Sequence, residues 1–249
     1  MDSRPCLRVE NISKHFGGLV AVSEVNLSIK YGERRGIIGP NGAGKTTLFN
    51  MIAGDLKPTL GRVVLDGKDI TDLPTHQRAY LGMARTFQIT NLFPEMSVMD
   101  NILLATQALE RSKFSLIRPT NSYRKICQKA DEIIEKFALA DVQNLSPKNL
   151  SHGTQRQIEI ALAIVSNPKL LLLDEPTAGL SPAESADMVL LLKGLDSEIT
   201  MLIIEHDMDV AFELVDYLTV MHEGKVQADG PKENVRSNQK VQEIYLGYD

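Results

Sequence analysis

The stretch Gly39-Pro40-Asn41-Gly42-Ala43-Gly44-Lys45-Thr46-Thr47 decides the fold of this chain. It matches the spacing G-x-x-x-x-G-K-[ST], and it lies between an apolar strand pattern at 35–38 and a helical pattern at 45–53. Glycines let a backbone wrap around phosphate oxygens with its N–H groups pointing inward, and the dipole of the following helix favours the same anion. We therefore expect residues 39–47, the phosphate loop, to bind the phosphates of a nucleotide. Lys45 would reach the terminal phosphates, and the Thr46 hydroxyl would bind Mg²⁺.

The flanking patterns predict an α/β domain with a parallel sheet. Residues 169–173 and 200–204 are continuously apolar, as in strands covered on both faces, and a helical pattern at 183–195 separates them. Alternation with a period of two at Leu7 and Val9, and again at 25–29, predicts strands. Residues 97–165 follow the helical period of 3.6, except at 111–123, where a proline and several serines predict a loop or an irregular insertion. A helical section is therefore inserted between the phosphate loop and the later strands.

Two adjacent acids, Asp174 and Glu175, follow the apolar strand at 169–173. Successive side chains on a strand point to opposite faces, so the two carboxylates cannot do the same job. One can hold a metal ion, directly or through water, while the other faces the water that attacks the γ-phosphate. The structural alternative is a pair of solvated acids at the end of a strand.

A second candidate anion site precedes these acids. The run Leu150-Ser151-His152-Gly153-Thr154-Gln155-Arg156, the signature motif, opens a helical pattern. A serine and a glycine at a helix N-terminus can bind phosphate, since the serine donates and the glycine lets the backbone come close. The alternative is an ordinary N-cap of an amphipathic helix.

A chain with two such anion sites resembles the ATP-binding subunits of ABC transporters, whose signature is usually Leu-Ser-Gly-Gly-Gln. One ATP needs only one cradle, so each nucleotide would lie between two copies of the chain. The resemblance covers 1–249 as a single ATPase domain. It implies a P-loop NTPase core of RecA-like fold with an antiparallel β subdomain over 1–96 and 167–249, and an α-helical subdomain over 97–166 that ends in the signature motif. ATP and Mg²⁺ are the implied cofactors.

The resemblance also assigns catalytic roles. Glu175 would polarise the attacking water, His206 would contact the γ-phosphate, and Lys45 would neutralise developing charge. The signature residues Ser151, His152, Gly153 and Thr154 would act on the nucleotide of the partner copy. His152 and Thr154 depart from the usual signature. Ser181 stands in a loop that normally ends in Asp, which puts the usual contact across the dimer in doubt.

Two further residues gain a role from the same resemblance. Phe16 stands where the family has an aromatic residue that stacks on adenine. Gln88 matches a glutamine that links Mg²⁺ to the membrane subunits, so the metal set is Thr46, Gln88 and Asp174. The region from Gln88 to Val98 would pass the motion to those subunits. Without the resemblance, a single aromatic residue is more often part of the hydrophobic core than a base-stacking group, and a single glutamine more often lies on the surface.

Several segments resemble the Liv-type branched-chain amino-acid uptake ATPases, nearer the LivG-like than the LivF-like subunit. They are Phe16-Gly17-Gly18-Leu19-Val20-Ala21-Val22, Ala84-Arg85-Thr86-Phe87-Gln88, Leu92-Phe93-Pro94-Glu95-Met96-Ser97-Val98, Ile204-Glu205-His206-Asp207-Met208 and Tyr245-Leu246-Gly247. The urea-uptake ATPases of the same family share a Leu-Ser-His-Gly signature, so His152 favours them slightly. A non-transport ABC ATPase that acts as a mechanical switch and a P-loop small-molecule kinase are two rival functions.

Composition excludes several classes and narrows the location. The chain is 43% hydrophobic and 24% charged, which excludes disorder, and its net charge of -5 argues against a nucleic-acid partner. Cys6 and Cys127 are in no metal-ligand spacing, which indicates a reducing compartment. No apolar run approaches the roughly 20 residues that cross a bilayer, and residues 1–6 lack a signal-peptide pattern.

We therefore expect a cytoplasmic protein that lies peripherally on the inner face of the cell membrane. The resemblance implies three kinds of partner. They are transmembrane permease subunits, a second ATPase subunit that is either an identical copy or a paired paralogue, and indirectly a solute-binding protein.

Overall fold

The computed structural model describes residues 4–86, 92–108 and 124–246. Its strands are β1 (Leu7–Phe16), β2 (Leu19–Ile29), β3 (Arg34–Ile38), β4 (Leu60–Leu65), β5 (Lys68–Asp69), β6 (Met83–Arg85), β7 (Leu170–Asp174), β8 (Thr200–Ile204), β9 (Tyr217–His222) and β10 (Lys225–Pro231). Its helices are α1 (Lys45–Ala53), α2 (Thr75–Tyr80), α3 (Val98–Ala108), α4 (Arg124–Lys136), α5 (His152–Ile164), α6 (Pro182–Lys193), α7 (Met208–Leu214), α8 (Lys232–Arg236) and α9 (Gln239–Leu246).

These elements form two compact units. The first contains the described residues of 1–85 together with 169–176 and 192–249, and the second those of 86–168 together with 177–191. The subdomain limits expected from the sequence, 97 and 166, stay a prediction.

A six-stranded sheet of the first unit has the order β10-β9-β3-β8-β7-β6. Strands β9, β3, β8, β7 and β6 pair in parallel, and only β10 pairs antiparallel. Every residue of β7 and β8 is buried, as the continuous apolar runs predict for central parallel strands. The predicted α/β class with a parallel sheet is confirmed.

A second sheet of this unit is antiparallel, with the order β2-β1-β4-β5. The strands expected near the N-terminus are two long ones, in which Leu7 pairs with Ile29 and Phe16 with Leu19. Register shifts interrupt the pairing, the first between Val9 and Ile12. Such bulges break the simple alternation of side chains, so the period of two is lost from the sequence although the strands continue.

Helix α1 shares one hydrophobic core with both sheets. It contacts β2 of the antiparallel sheet and β8 of the parallel sheet. The core includes Leu7 and Ile29 of the antiparallel sheet, Phe49 of α1, and Leu172 and Leu202 of the parallel sheet. The loop before α1 is therefore anchored at one end by β3 and at the other by a buried helix.

Helices make up the second unit. Helix α3 contacts both α4 and α5, and the N-terminal end of α3 is tied by backbone bonds from Val98 to Leu145 and from Met99 to Gln143. Buried apolar residues recur on one face of each helix, among them Ile102, Ile134 and Ile158. The irregular insertion expected at 111–123 lies outside the described residues. Within the described ranges, no helix is long and apolar enough to cross a membrane.

Candidate functional site

The phosphate loop joins the end of β3 to the start of α1. Gly44 takes the left-handed conformation, with φ 95°, and a Cβ there would lie 2.5 Å from the carbonyl oxygen of Ala21. No side chain caps the start of α1, and no acidic residue stands in its first turn. The first N–H groups of a helix need acceptors, and the positive end of the dipole favours an anion. The loop and α1 thus present the backbone donors that phosphate oxygens require.

Lys45 places a cation inside this loop. Its Nζ donates to the carbonyl oxygens of Gly39, at 2.6 Å, and Pro40, at 3.0 Å. The residue is only 7% exposed. Burial lowers the pKa of Lys45, and the negative charge of Glu175 acts in the opposite direction. An ammonium group hydrogen-bonded to two carbonyl oxygens is well placed to exchange them for the more strongly charged oxygens of a phosphate.

A cavity of about 440 Å³ opens beside the loop, within the size range of small-molecule sites. The structure therefore brings Lys45, Thr46 and Glu175 together around one space. The lining residues are Leu19, Val20, Ala21, Asn41, Gly42, Ala43, Gly44, Lys45, Thr46, Thr47, Glu175, Glu223 and Gly224.

The two adjacent acids differ in environment, although not for the reason expected from the sequence. Strand β7 ends at Asp174, and Glu175 takes a left-handed conformation with φ 45°. Its backbone N–H donates to the Ile204 carbonyl oxygen at 3.0 Å. The turn, and not the pleat of a strand, therefore directs the Glu175 side chain toward the cavity. Asp174 is 1% exposed and accepts a bond from Arg85 at 3.2 Å.

The residue types near this cavity suit Mg²⁺. Thr46, in its lining, offers a hydroxyl, and Asp174, which precedes the lining residue Glu175, offers a carboxylate. Magnesium prefers such oxygen ligands together with phosphate oxygens and water. In the part of the chain that the structure describes, no three His, Cys, Asp or Glu side chains form a metal site. A few protein oxygens beside a phosphate loop are the usual arrangement for magnesium.

The side chains of Phe16 and His206 are exposed. Phe16 ends β1, is 48% exposed, and has the Lys14 ammonium 5.2 Å from its ring centroid. The His206 side chain is exposed beside Glu205. Neither Phe16, His206 nor Asp174 lines the cavity described above. Gln88 lies outside the described residues.

The signature motif lies in the second unit, at the start of α5. Ser151 is the N-cap, and its Oγ accepts a bond from the Thr154 N–H at 3.2 Å. The backbone N–H of Gly153 donates to Glu184 Oε1 at 3.3 Å, and a Cβ on residue 153 would lie 2.8 Å from that oxygen. A cavity of about 120 Å³ adjoins Ser151, Gly153 and Glu184. Glycine is required at position 153 because the Glu184 side chain, which belongs to the same unit, approaches the backbone this closely.

Glu184 is a residue that the sequence reasoning missed. It stands in a capping box at the start of α6, where its Oε2 accepts bonds from the N–H and the Oγ of Ser181 at 3.1 and 2.8 Å. These bonds, with Ser151 and Gly153 as further donors, lower the pKa of Glu184 to about 2. The pattern Ser181-Pro182-Ala183-Glu184 signals the box, but its link to Gly153 has no local signal.

The sequence is similar to those of known transport proteins. A family model described as ABC transporter matches residues 22–178. The chain is 40% identical to the high-affinity branched-chain amino acid transport ATP-binding proteins BraF of Pseudomonas aeruginosa and LivG of Escherichia coli K12, over 98% of this chain and 99% of each relative.

Solved structures of ATP-binding cassettes are also similar to this chain. The ADP conformation of MJ1267, an ATP-binding cassette of an ABC transporter, has a TM-score of 0.82 and 36% identity, covering 98% of this chain and 100% of that one. A dimeric post-hydrolysis state of the cassette MJ0796 bound to ADP and Pi has a TM-score of 0.76 and 28% identity, covering 90% and 98%. These matches cover nearly the whole length of the chain. It therefore belongs to the ABC transporter family, as one of its ATP-binding cassettes.

Proposed function

We propose that this chain binds ATP with Mg²⁺ and hydrolyses it to power the import of branched-chain amino acids. The observation that carries the proposal is the cavity beside the phosphate loop, where Lys45, Thr46 and Glu175 meet the uncapped start of α1. The choice of solute rests on relatives that are branched-chain amino acid transport ATP-binding proteins over almost their full length.

Binding uses the backbone donors of the phosphate loop. The N–H groups at the start of α1 bind phosphate oxygens, and Lys45 leaves the carbonyls of Gly39 and Pro40 to contact the terminal phosphates. Phe16, exposed at the end of β1, stacks on the adenine. Thr46 and Asp174, with Gln88, hold Mg²⁺, which neutralises phosphate charge when it is bound.

Hydrolysis needs an oriented water and little covalent chemistry from the protein. The Glu175 carboxylate faces the same cavity as Lys45, so it can accept a hydrogen bond from a water beyond the γ-phosphate and orient its attack. His206, exposed after β8, donates to the γ-phosphate as the charge develops. Positioning, not covalent participation by the protein, dominates this mechanism.

A complete site needs a second cassette. Ser151, His152, Gly153 and Thr154 of one copy close on the nucleotide in the phosphate loop of the other, and a related cassette forms a dimer with ADP and Pi. The partner is an identical copy or a paired paralogue. Membrane permease subunits, served by a solute-binding protein, receive the motion at 88–98, so the chain lies on the cytoplasmic face of the membrane. The helical subdomain over 97–166 carries the signature motif, and the contact region at 88–98 leads into it.

The first test is Glu175→Gln. We expect ATP turnover to fall by about 10²–10⁴-fold while ATP binding persists, since only the group that orients water is lost. Sedimentation in the presence of ATP should show a trapped dimer. Glu198→Gln, an exposed glutamate of the same unit, is the control and should hydrolyse ATP like the wild type. Wild-type turnover in Glu175→Gln would remove Glu175 from this role.

The second test concerns transport. The chain is assembled in vesicles with permease and solute-binding proteins from its own organism, and ATP-driven uptake of labelled leucine and labelled urea is compared. We expect leucine uptake that stops with Glu175→Gln. Urea uptake alone would favour the alternative suggested by His152, and ATP hydrolysis without permease binding would favour a mechanical switch.

A further inference from the structure

A largely buried arginine contacts both the strand that ends at Asp174 and the helix that follows the phosphate loop. Arg85 ends β6, the edge strand next to β7, and its side chain is only 10% exposed. One guanidinium nitrogen, Nη2, donates to Asp174 Oδ2 at 3.2 Å, and the other, Nη1, pairs with Asp55. The guanidinium also lies over the Phe49 ring, 4.9 Å from its centroid. Three groups therefore fix its position.

These contacts connect two elements that the site depends on. Asp174 is the last residue of β7, while Phe49 and Asp55 lie on and just after α1, the helix that begins at Lys45. A planar guanidinium can bond two carboxylates at once in a fixed fork, which an ammonium group cannot do. Arg85 thereby sets the distance between the end of β7 and the helix that follows the phosphate loop.

We propose that Arg85 is a positioning residue for Mg²⁺, which orients the Asp174 carboxylate toward the metal at the ATP site. The inference rests on the proposed function, in which Asp174 and Thr46 hold the ion. Carboxylates that serve metals are themselves held by a second group, and loss of that group typically weakens metal affinity 10–100-fold.

The net charge of this cluster favours a positioning role for Arg85 over a role in which Arg85 competes with the metal for Asp174. One guanidinium carries a formal charge of +1 and meets two carboxylates, so the cluster of Arg85, Asp55 and Asp174 keeps a net negative charge. Because Asp55 and Phe49 also hold the guanidinium, it can stay in place when a cation arrives. A guanidinium that paired with Asp174 alone would instead have to leave.

The test is Arg85→Gln, with ADP binding measured by calorimetry across a Mg²⁺ titration and again in EDTA. We expect the Mg²⁺ concentration that gives half of the metal-dependent gain in affinity to rise about 10–100-fold. Binding of metal-free ADP should stay within about twofold of the wild type, since the backbone donors of the phosphate loop are untouched. Arg85→Lys, which keeps one charge without the fork, should fall in between.

Arg35 offers a matched control for simple loss of stability. It is also buried, and it also bridges two carboxylates, those of Glu33 just before β3 and Asp229 on β10. We expect Arg35→Gln to lower the thermal midpoint of unfolding without shifting the Mg²⁺ dependence. If Arg85→Gln does not fold, Asp55→Asn tests the same bridge from its exposed end and should shift the Mg²⁺ dependence in the same direction.

The results distinguish a failure of the inference about Arg85 from a failure of the proposed function. Asp174→Asn is measured beside the arginine variants. If it shifts the Mg²⁺ dependence and Arg85→Gln does not, the inference is overturned and the proposed function stands. Tighter Mg²⁺ binding in Arg85→Gln would also overturn it, because Arg85 would then be a competitor. If Asp174→Asn leaves the Mg²⁺ dependence unchanged, the metal role of Asp174 fails and the inference fails with it.

Discussion

The guanidinium of Arg78 lies directly against Gly54, where a Cβ would fall 2.5 Å from Nε. Arg78 is 1% exposed and donates to the carbonyl oxygens of Met51, at 2.9 Å, and Ile52, at 2.6 Å, in the last turn of α1. It also bonds two carbonyls of 71–73. A single side chain thus binds two carbonyl oxygens at the C-terminal end of the helix whose N-terminal end faces the proposed ATP site.

We expect Arg78→Met to lower the free energy of unfolding by about 3 kcal/mol, because it leaves buried carbonyl groups without donors. Urea unfolding followed by circular dichroism measures the change. Arg62→Met is the control, since Arg62 forms only a solvent-exposed pair with Glu10 and its loss should change the stability much less. Equal stability of the two variants would contradict this account of α1.

Gly44 and Ala21 give a second prediction. At φ 95° a side chain is strained, and a Cβ on residue 44 would also lie 2.5 Å from a backbone oxygen that cannot swing away. We expect Gly44→Ala to displace the phosphate loop and weaken ATP binding at least about tenfold, with a loss of about 1–3 kcal/mol in stability.

Gly67→Ala is the matched control for this variant. Gly67 has a similar φ of 77° in the turn between β4 and β5, with nothing within 4 Å of a Cβ. It should lose stability without losing ATP affinity. Calorimetry with ATP separates the two, and wild-type affinity in Gly44→Ala would show that the loop tolerates the shift.

Local patterns predicted much of the fold. The phosphate loop, the start of α1 at Lys45, the buried strand that ends at Asp174 and the N-cap at Ser151 were all readable because each depends on neighbours in sequence. Glycine spacing, continuous apolar runs and helix caps are properties of a few adjacent residues.

Side-chain partners across the fold were not predictable in this way. Arg85 meets Asp174 and Asp55, 89 and 30 residues away in sequence, and no period connects them. The turn that directs Glu175 is set by its backbone bond to Ile204 on a neighbouring strand. Such contacts depend on which strands lie side by side, and a single sequence does not contain that order.

Glu184 predicts a pH dependence. Its pKa falls from an ordinary 4.5 to about 2 in the folded chain because Ser181, Ser151 and Gly153 donate to the ionised carboxylate. A lowered pKa gives stability that is fully present above pH 4.5 and is lost as the pH falls toward 2. We expect Glu184→Gln to be less stable than the wild type at neutral pH, with the two stabilities converging near pH 2.

Urea midpoints measured from pH 7 to pH 2 test this expectation. Asp187→Asn, one turn later on α6, removes the same charge without touching the capping box, so it controls for the loss of a carboxylate charge on this helix. A constant difference between Glu184→Gln and the wild type across this range would contradict the role given to the carboxylate.

Ser151→Arg tests whether the signature motif acts on a second copy. Ser151 is exposed and caps α5 through Thr154, so its loss alone costs about 1 kcal/mol. The phosphate loop of the same chain is unchanged, and we expect monomeric ATP affinity to stay within about twofold of the wild type. A bulky side chain at the cap would block closure, so ATP-dependent dimers should disappear in sedimentation and hydrolysis should fall to the monomer's rate. Ser237→Arg adds the same side chain at an exposed site outside the motif and should dimerise normally. If Ser151→Arg remains dimeric and active, the nucleotide is not shared between two copies.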